Sequence, residues 1–190
     1  MKNVSFVLIA GCLFFTSMSL NAQTAFQPFR VDMGSGWNKA FWCNTGDGIA
    51  LQIEPKYAVI PELNVGLKLE GDLNERNNTY TIDQIKQKAK IIQEIVSGLA
   101  TTDYYFKPHE NSRPFVGAGL GIYYVDGYCD ALPIATGKTT NFGTMLRVGI
   151  DSNHLRLMLS YNYLGKDKDG YDLSFFSLTL VGYIGGGKKE

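Results

Sequence analysis

Large apolar residues recur at every second position in several separate stretches of the chain. Ile49, Leu51 and Ile53 alternate with Ala50, Gln52, Glu54 and Lys56. Leu63, Val65, Leu67 and Leu69 alternate with Asn64, Gly66, Lys68, Glu70 and Asp72. Leu155, Leu157, Leu159, Tyr161 and Tyr163 alternate with Arg156, Met158, Ser160 and Asn162. Successive side chains of a strand leave opposite faces, so each stretch is a ribbon with one oily and one polar side. Several such ribbons point to an all-β fold whose wall separates an apolar surround from a polar interior.

The first residues read differently. Lys2 precedes an apolar run from Val4 to Phe15, and a small-residue region ends at Leu20-Asn21-Ala22. This pattern predicts a secretory signal over residues 1–22, cleaved after Ala22, with one domain over 23–190. The apolar run is too short to span a bilayer comfortably. A rival cut would leave Cys12 lipidated, because Ile9-Ala10-Gly11-Cys12 looks like a lipoprotein box. Against it, Leu13-Phe14-Phe15 continue the apolar run past that cut.

Eight strands are predicted, near 28–37, 48–58, 62–73, 93–107, 113–125, 141–152, 155–164 and 171–184. The connections around Val59–Pro61, Pro108–Ser112 and Asn153–His154 are short, whereas those at 38–47, 74–92, 126–140 and 165–170 are longer. Short turns at one end and long loops at the other fit an eight-stranded antiparallel up-and-down transmembrane β-barrel, the short turns being periplasmic. A two-residue hairpin at Asn153-His154 sets Ser152 opposite Leu155 and Asp151 opposite Arg156. Alternation gives the same faces and predicts an interior Asp151–Arg156 ion pair. Residues 74–92 could be a short surface helix, since Asp83–Lys90 has helix-forming composition, or a strand extension rising above the membrane; a loop with some helix is the favoured expectation.

The charges share the polar face: Arg30, Asp32, Glu54, Lys56, Lys68, Glu70, Asp72, Arg147, Asp151 and Arg156. Inside a small barrel they would have to pair with one another, since desolvating an unpaired ion is costly. Two aromatic belts are expected at the membrane boundaries. Phe29, Tyr57, Tyr104, Phe106 and Tyr183 fall near the short-turn end; Trp37, Trp42, Tyr124, Tyr163 and Tyr171 fall near the long-loop end. A soluble ligand-binding barrel is the alternative: it would turn the same ribbons round, apolar face inward. The aliphatic face, the two belts and the glycines Gly34, Gly36, Gly117, Gly119 and Gly121 on the opposite face favour the membrane form.

Certain segments carry a family likeness. They are Glu54-Pro55-Lys56-Tyr57, Leu63–Gly71, Asp103-Tyr104-Tyr105-Phe106, Arg113–Gly121, Tyr161-Asn162-Tyr163 and the tail Gly185-Gly186-Gly187-Lys188-Lys189. In this order the chain resembles the small outer-membrane β-barrel proteins of Bacteroidetes, related in architecture to OmpX, OmpW and the OmpA barrel. The resemblance implies an outer-membrane location and a barrel fold, and little chemistry. One departure is the end of the chain: the last aromatic is Tyr183, followed by a glycine-lysine tail.

Enzymatic machinery is not evident. The two histidines, His109 and His154, both fall in short turns, away from the outer leaflet. A nucleophile and its base must lie within hydrogen-bond reach, and zinc needs clustered Cys and His ligands. Gly117-x-Gly119-x-Gly121 lacks the third glycine spacing and the helix of a dinucleotide site, and Gly185-Gly186-Gly187-Lys188 lacks phosphate-loop spacing. No cofactor is expected. Acidic and basic residues number 18 each, so nothing points to nucleic acid. Two cysteines follow the signal, Cys43 and Cys129, both in predicted loops of one end; a disulfide is allowed in an oxidising compartment, and spacing alone leaves it open.

The expected role is structural or interactive, with a largely plugged lumen and exposed loops. Trp42, Asn44, Asp47, Tyr80, Tyr128 and Asp130 are the loop residues that could meet an extracellular partner. A narrow conduit for small hydrophobic solutes is the alternative. Expected contacts are outer-membrane lipid and, during biogenesis, the barrel assembly machinery.

Overall fold

The computed structural model describes residues 26–40, 45–82, 85–108, 111–129, 135–166 and 173–188. Within them the chain forms eight strands: β1 Phe26–Ala40, β2 Thr45–Ile60, β3 Leu63–Ile82, β4 Ile85–Tyr105, β5 Ser112–Cys129, β6 Ala135–Ser152, β7 Leu155–Tyr163 and β8 Phe175–Lys188. Each pairs antiparallel with its sequence neighbour, and β1 pairs with β8, so the sheet closes on itself. Closure satisfies every edge, which a lipid-exposed sheet requires.

The wall follows the alternation. Leu51 and Leu67 are 67 % and 63 % exposed on the outer surface, while Glu54, Lys68, Arg147 and Arg156 are fully buried inside. A soluble barrel would do the opposite, so that alternative is set aside. The Asn153-His154 hairpin pairs Asp151 with Arg156 and Ser152 with Leu155. Asn153 takes φ 52°, the left-handed conformation that tight hairpin turns require.

The 74–92 stretch corrects the sequence expectation. It is not a loop with helix: β3 and β4 continue as a ladder up to Ile82↔Ile85. Cross-strand pairing, absent from any single-strand reading, outweighs the helix propensity of the lysine-rich segment. The same extension moves other residues. Tyr80 lies on β3, Asp47 on β2, and Tyr128 and Cys129 at the end of β5, rather than in loops.

One close approach constrains the wall. A Cβ on Gly121 would lie 2.1 Å from the Gly98 carbonyl oxygen of the paired strand. Backbone cannot retreat as a flexible side chain can. Gly121→Ala is therefore expected to cost about 1–3 kcal/mol, read as a lowered urea midpoint of the folded barrel.

Candidate functional site

Among the described residues, polar chemistry concentrates in the lumen. Its short-turn half holds a dense ionic network. Asp103, on β4, is the hub. Its Oδ2 accepts from Lys56 Nζ at 2.7 Å and from Arg156 Nη1 at 3.0 Å, and its Oδ1 accepts from Arg147 Nε at 2.7 Å. Arg147 also grips Glu54 with both terminal nitrogens, at 2.8 and 2.9 Å. That two-pronged geometry is the strong form of a guanidinium–carboxylate pair.

A second knot surrounds Asp151. Arg156 Nε donates to Oδ1 at 2.7 Å, and Arg30 Nη1 to Oδ2 at 2.8 Å. The Tyr105 hydroxyl donates to Oδ2 at 3.0 Å and accepts from both Arg30 and Arg156. Arg113 reaches Asp151 at 3.4 Å. Asp32 joins the knots, 3.0 Å from Arg30 Nε and 3.1 Å from Lys56 Nζ. Arg156 lies over the Phe115 ring, 4.0 Å from its centroid. Five cations thus share four carboxylates in this half of the lumen, and each contacts at least one carboxylate.

The long-loop half is lined differently. Ile95, Leu99, Tyr123, Val125, Met145, Leu164 and Phe175 form one buried apolar cluster, with Leu173 against it. Beside this cluster on β3 lie Lys68, Glu70 and Asp72, with Lys68 and Asp72 the register partners of Leu99 and Ile95. The Lys68 ammonium meets Glu70 and sits 3.7 Å from Met145 Sδ. Tyr123 donates to Asn162 Oδ1 at 2.9 Å.

All ten charged residues singled out above are buried in the lumen. Asp103, Tyr105, Arg113 and Thr101 were missed. Thr101-Thr102-Asp103-Tyr104-Tyr105 shows polar or aromatic residues on both faces, so alternation gives little contrast there. The signal lay in the neighbour: Tyr104 is outward, so Asp103 and Tyr105 must be inward.

The aromatic residues divide as follows. Tyr57, Tyr104 and Phe106 are outward at the short-turn end, with Phe29 half-buried there; Trp37, Tyr124 and Tyr163 are outward at the other end. Tyr183 is a correction: only 6 % exposed, it points inward. Leu178, Leu180 and Ile184 take the lipid face of β8, which leaves Thr179, Val181 and Tyr183 to the lumen. There its hydroxyl accepts from Arg113 at 2.9 Å and donates to the Asn153 carbonyl, and its ring lies 4.5 Å from the Arg30 guanidinium carbon. Trp42, Cys43, Asn44, Asp130 and Tyr171 lie outside the described residues. Among the described residues, no group of three or more His, Cys, Asp or Glu is arranged to hold a metal.

The barrel has counterparts among known proteins at the level of family and fold. The family described as outer membrane protein beta-barrel domain matches residues 8–183. The chain belongs to that family. Outer-membrane localisation follows from this membership and from the aliphatic outer wall. No curated protein gives a significant match to the chain. Among solved structures it is similar to Neisserial surface protein A, with TM-score 0.55 and 14 % identity over 85 % of this chain and 97 % of that one. The attachment invasion locus protein Ail of Yersinia pestis gives TM-score 0.48 and 10 % identity over 84 % and 97 %. The N-terminal barrel domain of Pseudomonas aeruginosa OprF gives 0.44 and 14 % over 84 % and 98 %. At such identities the likeness concerns the fold alone.

Proposed function

We propose that this outer-membrane barrel is a non-enzymatic surface scaffold, closed along its axis, that works through the segments it raises above the membrane. The observation that carries the reading is the filled lumen. Large side chains from facing strands, Arg147, Arg156, Tyr105 and Lys56 among them, are buried together, Lys68 is buried beside Met145, and the apolar cluster lies towards the opposite end. Eight strands enclose an interior that side chains can fill.

The raised segment is a two-stranded ribbon. Among the described residues the β2–β3 ladder runs to Thr45↔Arg76 and the β4–β5 ladder to Ile91↔Cys129, whereas β3 and β4 are paired up to Ile82↔Ile85. Residues 77–82 and 85–90 pair with each other beyond the last described pairs of β2 with β3 and of β4 with β5. A rigid wall carrying a projecting ribbon suits recognition of a partner outside the cell. Outer-membrane lipid around the wall and the assembly machinery during insertion complete the proposed contacts.

Planar-bilayer recording tests the reading. The folded protein is expected to give no stable single-channel openings. Reproducible openings would favour the narrow conduit instead.

A further inference from the structure

The middle of the lumen carries a charge imbalance that the basal network does not touch. Lys68, Glu70 and Asp72 follow one another along the inward face of β3, all buried. The ammonium of Lys68 meets Glu70. Asp72 meets no cation among the described residues; Asn38 Nδ2 donates to its Oδ1 at 2.5 Å. None of the five basal cations contacts Glu70 or Asp72 among the described residues.

The surrounding oxygens are also unsatisfied. Gln52, register partner of Glu70, is 6 % exposed, and neither of its amide atoms has a hydrogen-bond partner among the described residues. The same holds for Asn38 Oδ1, Asp72 Oδ2 and Glu70 Oε1. Asn38 and Asp72 reach each other across β2, where Gly48 and Ala50 are their register partners and the Asn74 side chain lies over Gly48. With its amino group committed to Asp72, Asn38 offers an oxygen. Two carboxylates and two amide groups therefore lie on the inward faces of the adjoining strands β1, β2 and β3, with a single ammonium among them.

Burying a carboxylate without a counter-charge is costly, and buried polar oxygens ordinarily find partners. Carboxylate and amide oxygens are ligands for hard cations. One uncompensated charge matches a monovalent ion, and two carboxylates fall short of a divalent-metal cluster. We propose that Asn38, Gln52, Glu70 and Asp72 form a lumenal binding site for a monovalent hard cation of the sodium type. The site sits above the ionic network and stabilises the closed barrel without lying on a conducting path.

The full chain, refolded into lipid vesicles, provides the test. One sample is refolded in sodium chloride and one in N-methylglucamine chloride at equal ionic strength, and Tm is read from heat-modifiable electrophoretic mobility. Sodium is expected to raise Tm by about 2–5 °C. Asp72→Asn should abolish the difference, whereas Glu94→Gln, on the exposed face of β4, should retain it. Asn38→Asp adds a second uncompensated charge and is expected to shift the preference from sodium to calcium; this variant decides the matter if Asp72→Asn does not fold. Equal Tm in the two salts, a sodium effect that survives Asp72→Asn, or a stability that follows pH and ignores the cation would each overturn the site, the last by showing that Asp72 carries a proton instead.

Discussion

Leu67→Arg is expected to cost about 2–4 kcal/mol of barrel stability in a bilayer, the penalty for an arginine near the hydrocarbon midplane. The register locates this residue. Leu67 pairs with Ala100, which lies midway along β4 between the outward Tyr104 and Val96, the partner of outward Tyr124. Those two tyrosines belong to opposite belts, so Leu67 sits about halfway between them. Depth is the control. Leu155 is equally exposed to the surround but adjoins the Asn153-His154 turn, so Leu155→Arg should cost no more than about 1 kcal/mol. Urea unfolding from vesicles measures both. Equal costs at the two positions would mean that the aliphatic belt is not the lipid-contacting surface.

Removing one partner of the ionic core should be the other large effect. Arg147→Met leaves Glu54 and Asp103 each short of a guanidinium in a fully buried setting. The expected loss is about 3–5 kcal/mol, because the remaining charges stay desolvated without their partner. Adding Glu54→Gln to Arg147→Met should restore part of the loss, since one of the stranded anions is then gone. That non-additivity is the signature of direct coupling. A loss under about 1 kcal/mol would put the cluster in the range of water-screened surface pairs.

How far the fold was legible follows from particular residues. Strand β7 alternates cleanly over nine residues, and the Asn153-His154 turn fixes its register independently, so both are readable from the amino-acid sequence alone. Lys86, Lys88, Ala89 and Lys90 mislead, since their helix propensity is local while their strand pairing with Asn77–Thr81 is not. Ile95 and Val96 are both apolar, and so are Leu99 and Ala100, so the middle of β4 offers only Ser97 as a polar mark of its inward face. The apolar lumen cluster was for that reason invisible. Tyr183 was misplaced by treating an aromatic near the short-turn end as a belt residue, when the parity of Leu178, Leu180 and Ile184 already assigns it inward.

The bonds of the basal network span the length of the chain. Arg30 meets Asp151 from 121 positions away, and Glu54 meets Arg147 from 93. No short run of neighbouring strands contains both members of these pairs. A half-zipped sheet would hold Arg30 without Asp151 and Glu54 without Arg147, leaving them only the same-strand ionic contacts to Asp32 and Lys56. Neutralisation and ring formation therefore coincide, which makes incomplete intermediates poor in energy and the final seam between first and last strands hard to reopen.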